Sequence, residues 1–353
     1  MEARPDQVPH DVLGELRTTY LKHAARGMML YGEFTKIFEI LHKDGIPFIV
    51  LKGADLGETV YGDVALRPIS DLDLLIKPRD IPRMTEVFGK IGYHRSQASH
   101  WVWHHLSPFV KKGAVPVEVH RDINGPRKSS AEQMEGLWRR AQSRRIGGVN
   151  VLALSTEDLL LHLSLHAAHH LFLHSLILIN LCDIREILRR RTGEIAWDLL
   201  LEIAYQWKAT KALFLTLRLA QDILTAEVPQ KVLNALRPPD FHDQYLWFAK
   251  EEIFADTKVI PKGLGQMYTA PKIMEKLKVA AGRFFPSKEE MRLMHPNWES
   301  GPAVFHYLQR ILELGKYGPI LFRTVLMRKE VLALPDDKGS KALRNWLADG
   351  PGP

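Results

Sequence analysis

Cysteine is nearly absent from this chain: Cys182 is its only one. A lone thiol excludes an internal disulfide framework and a multi-cysteine zinc site, and it suits a reducing compartment. Cys182 lies in "LILINLCDIREIL", where buried packing is the expected role rather than reactivity. Long hydrophobic runs are also missing. The longest, near "LFLHSLILINLC", is interrupted by His174 and Asn180 and is too short to span a membrane. The opening "MEARPDQVPHDVLGEL" carries acids and prolines where a signal peptide would have a continuous apolar core. The cytoplasm is therefore the expected location. No run of Lys and Arg resembles a nucleic-acid-binding arm. The sequence has no "GxxxxGKS" loop, no Rossmann glycine pattern, no "GxSxG" elbow and no "HExxH" zinc motif. Internal repeats and low-complexity tracts are absent too.

What is present is an ordinary globular composition. The chain has 353 residues, 46% hydrophobic and 25% charged, enough for one large domain or two ordinary ones. Lys and Arg total 48 against 41 acids, a net charge of +7. This modest surplus suits a phosphate-bearing partner, and a nucleotide would satisfy it as well as a nucleic acid.

The first 125 residues alternate helix and strand signals. Apolar positions at helical spacing run from residue 10 to 44 and stop at Gly45 and Pro47. "PFIVLKG" reads as a buried strand, "ADLGETVYG" as a helix and "SDLDLLIK" as a second strand. A helix over "IPRMTEVFGKIG" follows. "WVWHHLSPFVKKGAVPVEVHRDI" reads as two strands turning at Lys111, Lys112 and Gly113. After "NGPRKSS" come a helix, "AEQMEGLWRRAQ", and a short extended piece, "GGVNVLAL". Ser155, with Asp158 three residues on, can cap the helix that follows. Helical periodicity then dominates to residue 331. The expected fold class is α+β: a small mixed sheet with flanking helices (residues 1–153), a helical acceptor or substrate domain (154–331) and a loose tail (332–353).

Asp71 and Asp73 stand out in "RPISDLDLLIK". On a strand, residues two apart share a face, with Cα atoms about 6.6 Å apart. Both acids then project together while Leu72 and Leu74 enter a core. Carboxylates so placed raise one another's pKa unless cations accompany them. Divalent metals are one solution, and a wet strand edge that needs no metal is the other. In "VPVEVHRDI", Glu118 sits between Val117 and Val119, with His120 on its face. If the two strands are neighbours, Glu118 becomes a third carboxylate beside the pair. Three acids from two strands suit two-metal phosphoryl transfer.

The order "VLKG", "LRPISDLDLLI", "VEVH" resembles the uncharacterised nucleotidyltransferases of the DNA polymerase β-like superfamily. "STEDLLLHLSLHAAHH" and "FFPSKEEMRLMHP…YLQRI" resemble that family's helical half, so the likeness extends over residues 35–325. It implies that Asp71, Asp73 and Glu118 are the catalytic metal ligands, for Mg²⁺ or Mn²⁺, with Glu118 also helping to activate the incoming hydroxyl. It implies a nucleoside triphosphate as substrate, its phosphates approached by the backbone at Gly53. The wider superfamily follows that glycine with Gly or Ser, whereas Ala54 stands here. Lys52 and Arg67 are then the candidates to supply charge to the phosphates. Arg67 precedes Pro68, which favours an extended or turn conformation, and its forked guanidinium suits phosphate. The alternatives are a solvated lysine and a surface salt bridge.

His120 is a candidate metal or substrate contact. His162, His166, His169 and His170 fall on one side of a helix. They are either a polar seam or, with Asp183, zinc donors, and His166 is the one expected to touch substrate. Trp101 and Trp103 are expected in the core rather than as a base-stacking platform. The leading expectation is a nucleotidyltransferase whose acceptor is a small molecule or a protein rather than a long nucleic acid. A non-catalytic nucleotide-binding module and a metal-dependent phosphohydrolase or nuclease are the competing readings.

Overall fold

The computed structural model describes residues 8–96, 105–123, 128–171, 177–254, 304–305, 307–308 and 338–348. Two compact units result. The described residues of one fall within 1–97, 108–121 and 134–155, and those of the other within 98–107, 122–133 and 156–353.

In the first unit, helix α1 (His10–Lys43) buries Gly27, Tyr31, Phe34, Ile37, Phe38 and Leu41. These recur every three or four residues and form one apolar stripe. Gly45 ends the helix at a φ of +62°. Gly45 N–H donates to His42 O and Ile46 N–H to Leu41 O, both at 2.9 Å. This pair of bonds is a Schellman ending, which favours glycine.

The chain then enters a seven-stranded mixed sheet in the order β3-β4-β5-β2-β1-β7-β6. The strands are β1 (Phe48–Leu51), β2 (Leu72–Ile76), β3 (His94–Arg95), β4 (Phe109–Val110), β5 (Val117–His120), β6 (Gln142–Ile146) and β7 (Val149–Ala153). The short helix α2 (Gly53–Thr59) follows β1, α3 (Ile81–Lys90) follows β2, and α4 (Ala131–Arg140) precedes β6. This is the expected α+β class. Phe34, Phe38 and Phe48 form one aromatic group of the core, and Phe88, Tyr93 and Phe109 another. Burying each such ring contributes about 1.5–3 kcal/mol.

β6 was not expected. Its sequence, "QSRRI", is polar because it lies at the sheet edge, where charge deters edge-to-edge pairing. It forms a hairpin with β7 across Gly147 and Gly148, whose φ values are +57° and +79°. Two successive positive φ angles are what a tight two-residue hairpin turn demands. That turn rests on α1, with Thr35 Oγ1 donating to Gly147 O at 2.7 Å.

The second unit is helical among its described residues. Helix α5 (Thr156–His170) starts directly after Ser155 and is buried continuously from Thr156 to Ser164. Around it lie α6 (Ile177–Arg190), α7 (Trp197–Gln206) and α8 (Thr210–Leu224). Next come α9 (Gln230–Leu236) and α10 (Asp243–Phe254). Within the stretch expected as a loose tail, Lys338–Ala348 form a helix, α11, that packs on α10 with Leu343 and Trp346 buried. Trp346 stacks on Tyr245, and its carbonyl accepts a 3.0 Å bond from the buried Lys211 Nζ. Cys182, expected to be buried, is only half-buried on α6. No helix among the described residues is long and apolar enough to cross a membrane. Trp101, Trp103, His174 and the "FFPSKEEMRLMHP" segment lie outside the described residues.

Candidate metal and phosphate site

The site is built by three adjacent strands. β1 runs antiparallel to β2, pairing Leu51 with Asp73. β5 runs parallel to β2, pairing Asp73 with Glu118. Paired residues on neighbouring strands project from the same face. The last residue of β1 and one acid from each of the other two strands are therefore level across the sheet. β2 is buried along its whole length. Leu72 and Leu74 anchor one side, so Asp73 is held on the other at 5% exposure.

Asp73 is the centre of the cluster. His120 Nε2 lies 2.7 Å from its Oδ1, and Lys52 Nζ lies 3.0 Å from the same oxygen. Burial alone would push the Asp73 carboxyl up, but the Lys52 ammonium and the His120 hydrogen bond outweigh it and hold Asp73 well below the usual carboxylate range. Burial would likewise push the Lys52 ammonium down. The combined charge of Asp73, Glu118 and Asp71 wins and raises it. Glu118 and Asp71 are pushed up, first by burial and then by the charge of Asp73.

Among the described residues, one group of side chains has ligand atoms close enough to share an ion. Asp73, Glu118 and His120 each offer an atom within 4.8 Å of the others. Carboxylate oxygens suit Mg²⁺ and Mn²⁺, whereas an imidazole donor is more typical of softer ions such as Zn²⁺. Asp71 is not one of these three donors, although its charge acts on Asp73 and Lys52. It lies in the bend just before β2, half-buried, with Ser70 Oγ donating to its Oδ1 at 3.0 Å. His120 was a looser candidate in the sequence and here is one of the three converging donors. Its place on the face of Glu118 was the available signal.

The unusual backbone is at Lys52, with φ 48° and ψ −121°, a conformation that glycine adopts readily and other residues rarely. Gly53 begins α2, and a Cβ there would meet Ile69 at 3.5 Å and Arg67 Nη1 at 3.9 Å, ordinary contacts. Arg67 is therefore beside Gly53. It is buried rather than on the surface, and its Nη1 donates to Pro68 O at 2.6 Å. His166 lies in the second unit, on α5, where the Asn180 side-chain amide donates to its Nδ1 at 3.1 Å. The α5 histidines and Asp183 do not bring their ligand atoms together as a metal site among the described residues.

Carboxylates on neighbouring strands of a small mixed sheet, flanked by helices and followed by a helical region, define a nucleotidyltransferase-like α+β protein. The sequence agrees: residues 2–225 match the family of uncharacterised nucleotidyltransferases, and the chain belongs to that family. The match ends well before residue 325, so the "FFPSKEEMRLMHP" segment is not part of it. No curated protein and no solved structure gives a significant match.

Proposed function

We propose that the protein is a divalent-metal-dependent nucleotidyltransferase, moving a nucleoside monophosphate from a nucleoside triphosphate to an acceptor. The acceptor's hydroxyl or phosphate oxygen forms a bond to the α-phosphorus. The bond from that phosphorus to its bridging oxygen breaks, and the electron pair leaves with pyrophosphate. Glu118, half-buried beside Asp73, takes the proton of a hydroxyl acceptor. Lys52, Gly53 and Arg67 receive the phosphates, with charge from the two cations in place of the second Gly or Ser of the wider superfamily. Asp73, Glu118 and His120, with Asp71 alongside, would hold Mg²⁺ or Mn²⁺, which would supply charge neutralisation to the phosphates.

The observation that carries this reading is the convergence of Asp73, Glu118 and His120 on adjacent strands in a chain of nucleotidyltransferase family. The net charge of +7 without a basic arm favours a small-molecule or protein acceptor over long nucleic acid. The lone cysteine favours a cytoplasmic setting. Incubation with each labelled nucleoside triphosphate, Mg²⁺ and a panel of acceptors tests the reading. Pyrophosphate release with a modified acceptor is expected. Nucleotide binding without turnover would instead make the chain a binding module, and release of monophosphate to water would make it a phosphohydrolase.

A further inference from the structure

Lys52 reaches the acid cluster from a backbone conformation that costs a residue with a Cβ about 1–3 kcal/mol. Its ammonium is also largely removed from water, at 12% side-chain exposure. Taking such a charge out of water costs several kcal/mol more. Both costs persist only where something offsets them, and what faces Nζ is negative charge. Asp73 is in direct contact at 3.0 Å, and Glu118 and Asp71 add their attraction. This is not a lysine left over at a strand end. The register that sets Leu51 opposite Asp73 places the next residue over the cluster.

We propose, resting on the phosphoryl-transfer reading of this site, that Lys52 is its second cation, so that the protein holds one divalent ion where three carboxylates would otherwise call for two. The converging donors are enough for one ion, Asp73, Glu118 and His120. A second ion about 3.5–4 Å from the first would have to share Asp73. Its Oδ1 already carries both Lys52 Nζ and His120 Nε2. Charge balance agrees, because Asp71, Asp73 and Glu118 are neutralised by one ammonium and one divalent ion together. An ammonium has three donors, and the bond to Asp73 uses one, which leaves others for a phosphate oxygen.

The test is a count of Mn²⁺ ions per chain, by equilibrium dialysis and electron paramagnetic resonance, with and without a nucleotide analogue that cannot release pyrophosphate. The wild type is expected to bind one ion in both conditions, and Lys52→Arg one. Lys52→Met is expected to bind two. Lys52→Gly also removes the ammonium while suiting the positive φ, so it is expected to bind two and serves if Lys52→Met does not fold. Any wild-type count other than one overturns the proposal. So does a count that stays at one when the ammonium is removed. Retention of the analogue is read in the same dialysis. Its absence would bring down the nucleotidyltransferase reading, while the ion count without nucleotide still decides the role of Lys52.

Discussion

Among the described residues, the acid cluster of the first unit and the histidines of α5 are organised oppositely. In the first unit, Asp73, Glu118 and His120 come from two strands and bring their ligand atoms within 4.8 Å. In the second, His162, His166, His169 and His170 follow one another along α5. Their rings meet at tilted or edge-on angles, with His166 and His170 centroids 4.2 Å apart. Neighbouring strands lie about 4.8 Å apart and aim paired side chains the same way, so they focus donors on one point. A single helix spreads its i, i+4 positions along its axis, about 6 Å per step. Convergence needs a second element opposite. Asn180 of α6 supplies a hydrogen bond to His166, and Asp183 of the same helix does not bring its carboxylate together with the histidines as a metal site among the described residues.

The sharpest way to break this comparison is to remove one member from each cluster. Asp73→Asn keeps the shape and removes the charge that gathers Lys52 and His120. Nucleotidyl transfer is expected to fall by more than 100-fold, an order of magnitude set by the loss of a metal ligand rather than of an outer partner. His166→Ala is expected to cost well under 100-fold in the same assay, less than the loss of a metal ligand. Circular dichroism on both variants separates lost chemistry from lost fold. Equal losses would put the two clusters on the same footing.

The next contrast lies within the acid cluster, between the backbone and the charge of Lys52. Lys52→Ala and Lys52→Gly remove the same ammonium, but only glycine accepts φ 48° without strain. Lys52→Gly is expected to be more stable than Lys52→Ala by about 1 kcal/mol or more in urea unfolding at fixed metal concentration. Equal stabilities would mean that the turn relaxes when the charge is gone, so that the acids alone impose the conformation.

How much of this was legible beforehand follows the same physics. Asp73 and Glu118 were legible because an acid between strand apolar residues is costly and therefore conspicuous. Their meeting was expected only through the family resemblance, not from the residues themselves. Parallel pairing joins segments more than forty residues apart, and no local pattern specifies which strands are neighbours. The positive φ at Lys52 belongs to the turn from β1 into α2 and has no glycine to announce it. β6 hid because an edge strand is free to be polar, though the glycine pair before β7 was a hairpin signal. Helix α11 hid behind the glycines and prolines around it, although Leu343 and Trp346 at helical spacing were there to be read.

The smallest expected effect probes the α5 cluster alone. Burial pushes the His169 imidazole down to about 4. The unfolded chain, with an ordinary imidazole near 6.5, therefore takes up that proton before the folded one does. Stability from this residue is complete above pH 6.5 and is lost as pH falls through about 4. Carboxylates elsewhere titrate in part of the same range, so the comparison must be with a variant that has no such group. His169→Gln is expected to show a shallower decline in urea midpoint between pH 7 and pH 4.5 than the wild type. Identical declines would mean that His169 is open to water, and the contrast between a charge-gathering sheet and a helix that keeps the His169 imidazole neutral would lose its second half.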